Sequence, residues 1–172
     1  MRVFAGIHAI AARIADVLGI AAMIIMLVMA FHVFLNISAR WITGKDIDLT
    51  LEIVTYYYMV AITFLPLAYV DRMGEHIRAD LLTQFLSKGV IEWSDVFFRF
   101  AMAALLGVLT WKTFESALEQ SVVGETINTG TGVVQIWASR WSLPIGMGAA
   151  GLYAFVLGIK QTATALSGTS QT

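Results

Sequence analysis

The chain has 172 residues, 58% of them hydrophobic and 13% charged, with a formal net charge of −1. Soluble domains carry about 25% charged residues, so this chain has too few to cover a water-facing surface and reads as an integral membrane protein. The near-zero charge gives no basis for binding nucleic acid, and the absence of cysteine excludes disulfides and thiolate metal sites.

In chain order, the first apolar run is Val17 to Ala39, between Asp16 and Arg40. It exceeds the roughly 20 helical residues that cross a bilayer core, and it is too long for the apolar core of a secretory signal. The spacing predicts a retained span over 17–39. The second run, Ile53 to Val70, lies between Glu52 and Asp71 and predicts a span over 53–70. Pro66 in its last turns predicts a kink.

After Asp71 the charge is dense: Arg72, Glu75, His76, Arg78 and Asp80. Beyond it, Ile77, Leu81, Leu82, Phe85 and Leu86 recur at helical spacing, with polar residues on the opposite face. This pattern predicts an amphipathic helix over 76–88, lying in the membrane interface or against a partner. Gly74 permits the turn into it. Glu75, His76 and Asp80 are possible metal ligands, but no second histidine and no HExxH pair accompanies them. A charged loop at headgroup level is the better reading.

The third run, Phe100 to Trp111, is bounded by Arg99 and Lys112. Its twelve residues cover only about 18 Å at about 1.5 Å each. Both cations can snorkel toward opposite interfaces and the flanks are apolar, so the span is placed at about 96–118. The stretch from Glu119 to Trp137 is rich in Gly and Thr and reads as an exposed loop, available to a partner or a plain connector. The fourth run, Trp141 to Ile159, carries Pro144 in its first turn. Gly146, Gly148, Ala149, Ala150 and Gly151 give it a small flank that permits close helix approach.

The fold class is therefore all-α: four transmembrane helices plus an amphipathic interfacial helix between spans two and three, in a single membrane domain. With the N-terminus inside, seven cations (Arg2, Arg13, Arg72, Arg78, Lys88, Arg99 and Lys160) face the cytoplasm and four (Arg40, Lys45, Lys112 and Arg140) lie outside. That balance predicts cytoplasmic N- and C-termini.

No Asp, Glu, Lys or Arg lies near the middle of a span, so the proton relay of a self-sufficient antiporter is missing. No internal repeat suggests a complete secondary transporter. No catalytic motif is found, so an enzyme is not expected, nor is a cofactor. Haem needs axial ligands such as paired histidines, and His8, His32 and His76 offer no two at one depth. The membrane anchor of a redox complex remains as the alternative function.

The segment from Arg40 to Leu82, with Arg40, Glu52, Gly74, His76, Ile77 and Asp80 in register, resembles the small membrane subunit (DctQ-like, Q subunit) of tripartite ATP-independent periplasmic (TRAP) transporters. Trp141, Pro144 and Gly146 resemble the last span of the same family, and the likeness extends over about residues 15–160. Pro66 departs from the small residues common there. The resemblance implies a sodium-coupled system for organic acids in the bacterial inner membrane. Its partners would be a large permease (M) subunit, a periplasmic substrate-binding protein and membrane lipid. This chain would brace the permease scaffold without binding substrate. The residues expected to face partner or lipid are Arg40, Glu52, Arg72, His76, Arg78, Leu81, Phe85, Gly146 and Gly148.

Overall fold

The computed structural model describes residues 2–74, 88–129 and 132–166. The predicted interfacial helix lies outside the described residues, except for Lys88. Helix α1 runs unbroken over Arg2–Thr43, 42 residues or about 63 Å. It therefore begins well before the apolar run at Val17. Span two is assembled from four pieces: α2 (Thr50–Ile53), a π-helical turn (Val54–Tyr58), α3 (Met59–Phe64) and α4 (Leu67–Met73). The chain continues as α5 (Lys88–Val123), strands β1 (Thr126–Thr129) and β2 (Gly132–Gln135), a 3-10 turn (Trp137–Trp141) and α6 (Ser142–Leu166).

Among the described residues, four helical stretches are long and apolar enough to cross a membrane: Gly6–Thr43, Thr50–Met73, Trp93–Val123 and Trp137–Ala163. The molecule is an all-α membrane protein with one small hairpin added. Span two breaks at Pro66, which has no N–H to donate back to Ile62. Its backbone settles at φ −82°, ψ 1°, and the helix resumes at Leu67. The same span ends at Gly74 with φ −80°. Any residue adopts that conformation, so glycine's freedom is not what ends the helix.

The stretch expected to be a loop is largely ordered. Helix α5 continues to Val123 and stops where Gly124 takes φ +67°, a conformation that favours glycine. Gly124 N–H then donates to Gln120 O at 3.0 Å. The β-branched runs that follow pair as an antiparallel hairpin, Thr126 opposite Gln135 and Thr129 opposite Gly132.

Helix α6 is the hub. Half of its most apolar stretch is buried, against 11% for each of the other three. It packs on α1, α3, α4 and α5. One crossing point is made of small residues, the buried cluster of Ala15, Ala68 and Ala150; at another, Ala11 packs against Tyr153 and Leu157. In lipid there is little hydrophobic drive between helices, so close backbone approach at such residues supplies the packing energy.

Candidate functional site: the two ends of the bundle

At the end of the bundle where span two finishes, two ion pairs join three helices. Asp71 and Arg72 are consecutive on α4 and face different neighbours. Arg99 of α5 donates through Nη1 to both oxygens of Asp71, at 2.7 and 2.9 Å, with the two side chains only 18% and 14% exposed. Arg72 pairs with Asp16 of α1 and also donates to Ala12 O at 3.5 Å. Four charges from three helices thus share one level.

The hairpin end is fastened differently. On α1, His32 sits half-buried between Tyr58 OH, 3.3 Å from Nδ1, and Thr50 Oγ1, 3.5 Å from Nε2. Asn36 Oδ1 accepts from Ile47 N–H at 2.7 Å, which pins the connection between spans one and two. Leu49 in that connection takes φ +63°, a strained conformation for a residue with a branched side chain. The π-helical turn inserts an extra residue, which re-aims the tyrosines. Tyr58 faces α1, while Tyr57 OH donates to Gln135 O of β2. Trp141 Nε1–H donates to Ser121 Oγ at 3.0 Å, which ties α5 to the turn leading into α6.

Arg140 grips Glu125 with two nitrogens, Nη2 donating to Oε1 at 2.6 Å and Nε to Oε2. The hydrogen bonds from Arg140 hold the Glu125 carboxyl below the usual carboxylate range, outweighing partial burial. The pair therefore contributes its full stability above the ordinary glutamate range, and the contribution is lost as pH falls through the lowered native value. The thermal midpoint of purified protein is expected to fall as pH drops below the ordinary glutamate range. Glu125→Gln should flatten that decline while lowering the midpoint at pH 7. An unchanged acid slope in the variant would assign the decline to other carboxylates.

The residues singled out from sequence are distributed over the molecule. Arg40 is exposed and lies 3.7 Å from Asp46. Glu52 is half-exposed in the first turn of α2, where a carboxylate complements the helix dipole. Arg72 is held by Asp16. Gly146 lies against span two: a Cβ there would stand 1.9 Å from Phe64 O. At Gly148 a Cβ would stand 3.3 Å from Thr110 Cγ2. His76, Arg78, Leu81 and Phe85 lie outside the described residues, as do Glu75 and Asp80.

Sequence reasoning missed the Asp71–Arg99 and Glu125–Arg140 pairs, whose members are 28 and 15 residues apart. It also missed the hairpin, although two β-branched runs separated by Gly130-Thr131 carry that signal. Among the described residues no three His, Asp or Glu side chains are grouped to hold a metal ion. The polar groups that do come together fasten helices to one another.

The fold defines a multi-pass membrane protein, and its polar contacts fasten the spans to one another. The family model for the DctQ component of tripartite ATP-independent periplasmic transporters matches residues 29–163. The chain belongs to that family, the small membrane component of TRAP transporters, and is a multi-pass protein of the inner membrane. No curated protein and no solved structure matches it closely enough to be drawn on.

Proposed function

We propose that this chain braces the static scaffold of a large permease subunit in a sodium-coupled TRAP transporter for organic acids, and does not itself bind substrate. A periplasmic binding protein delivers that substrate to the assembly. The observation that carries this reading is the way span two is held. Asp71 and Arg72 tie it to two helices at one end, the Phe64 carbonyl abuts Gly146 in the middle, and Tyr57 and Tyr58 anchor the other end. An elevator-type carrier changes access only by moving against something fixed, and a bundle fastened at three levels suits the fixed part.

The test is reconstitution of the permease and binding protein with and without this chain. Substrate uptake driven by an imposed sodium gradient is expected to fall at least about ten-fold without it, while equilibrium substrate binding to the binding protein is unchanged. Undiminished uptake would sink the brace. The cation balance supports cytoplasmic termini, and reporter fusions at both ends should agree; periplasmic signals from both would reverse that orientation, and one from the C-terminus alone would mean that the third run does not cross.

A further inference from the structure

A groove of about 350 Å³ opens on the side of the bundle between span two, α5 and the 3-10 turn. Tyr56, Lys112, Ser116 and Arg140 border it with polar groups, and Val60 and Leu143 with apolar ones. Its depth follows from Arg99, which is held by Asp71 at the charged end of the bundle. Counted from there along α5, Lys112 lies about 20 Å, Ser116 about 26 Å and Val123 about 36 Å away. The hydrocarbon layer is about 30 Å thick, with headgroups beyond it. The groove therefore sits at the far boundary of that layer. The hairpin stands above it on the water side, where Ile136 N–H donates to Glu125 O at 2.9 Å. Trp111, Trp137 and Trp141 flank the same boundary, as indole rings do where acyl chains give way to headgroups.

The polar capacity left over in the groove is for donating. Thr113 and Ser139 also border it, but their hydroxyls already donate to the backbone carbonyls of Leu109 and Ile136. Tyr56 OH and Ser116 Oγ have no hydrogen-bond partner among the described residues. Lys112 Nζ donates to Glu115 Oε2 at 2.9 Å and keeps its other protons. Arg140 uses Nε and Nη2 on Glu125, which leaves Nη1. Among the described residues no carboxylate borders the groove.

Two cations and two free hydroxyls beside an apolar wall fit a ligand with acceptor oxygens at one end and hydrocarbon at the other. A phosphodiester carrying acyl chains has that form, and the membrane supplies it at this depth.

We infer that this groove binds one phospholipid of the hairpin-side leaflet. Lys112, Tyr56 and Ser116 hold its phosphate beside Arg140, and an acyl chain runs along Val60 and Leu143. No carboxylate is left over to receive a headgroup ammonium, so phosphatidylglycerol binds better than phosphatidylethanolamine. The site stands apart from the brace and does not depend on it.

The test uses the complete transporter in phosphatidylcholine vesicles holding a trace of phosphatidylglycerol with a diazirine on one acyl chain, close to the glycerol. After illumination, peptides containing Val60 and Leu143 are expected to carry more label than with the matching phosphatidylethanolamine probe. Tyr56→Phe with Lys112→Gln should lower that label about ten-fold, the loss expected for hydrogen bonds to a charged group. Tyr56 OH is unpartnered and the Lys112–Glu115 pair is 70% and 63% exposed, so the thermal midpoint of this variant should not change. Arg40→Gln, an exposed cation of α1 outside the groove, should leave the label as it was. Added inorganic phosphate should not compete. Equal labelling by the two probes, or undiminished label in the double variant, would overturn the inference. Displacement by inorganic phosphate would replace the lipid with a free anion, and absence of label from both peptides would mean that protein covers the groove; either result overturns it too.

Discussion

Arg99→Leu is expected to destabilise the bundle by about 3–5 kcal/mol, the usual cost of leaving a buried charge without its partner. The stranded group is Asp71, only 14% exposed, which loses both of its hydrogen bonds to the guanidinium. For a chain of this size each kcal/mol moves the thermal midpoint by about 2–4 °C, so a fall of roughly 10 °C is expected in detergent. The neighbouring pair sets the scale. Asp16 and Arg72 are 39% and 38% exposed, so Asp16→Asn should cost no more than about 1 kcal/mol. The double variant Asp71→Leu with Arg99→Leu removes both charges together. Well-packed apolar replacements of a buried pair are often neutral, so most of the lost midpoint should return. A double variant as unstable as Arg99→Leu alone would mean that the pair acts through packing of the arginine stem rather than through charge.

The contrast between these two pairs shows where sequence reasoning stops. Asp71 and Arg72 were visible as the charged end of a span, because composition changes abruptly there. Which helix each would face was not visible, because adjacent residues on a helix point about 100° apart and their partners come from distant segments. The spans were legible for a related reason: backbone groups in hydrocarbon must be satisfied within the helix, which forces long uniform runs. Pro66 was equally legible, since a missing N–H acts locally. The hairpin was harder. Its glycines and threonines resemble loop composition, and its strands of four residues are too short for alternation to stand out. The π-helical turn at Tyr56, Tyr57 and Tyr58 left no mark in composition at all; it is set by which tyrosine finds His32 and which finds Gln135.

Gly146 is where the local and the distant meet, and its replacement by alanine is the other change expected to have a large effect. Because span two breaks at Pro66, α3 ends at Phe64, whose carbonyl lies against Gly146 of α6. An alanine Cβ at 146 would lie 1.9 Å from Phe64 O and 2.4 Å from its carbonyl carbon. Both obstacles are backbone atoms, which no rotamer change can move aside. The two helices must separate, and the cluster of Ala15, Ala68 and Ala150 one turn away loosens with them. Overpacking ordinarily costs about 1–3 kcal/mol, and a backbone clash in the hub helix belongs at the top of that range. Gly148→Ala supplies the internal comparison. Its Cβ would meet the Thr110 methyl at 3.3 Å, a side-chain contact that a small shift relieves, so it should cost less than about 1 kcal/mol. Thermal midpoints in detergent and recovery of the permease with each variant check both values. Equal stability of the two variants would mean that α6 and span two pass farther apart at Gly146 than the Phe64 carbonyl implies, and the brace would then lack its middle fastening.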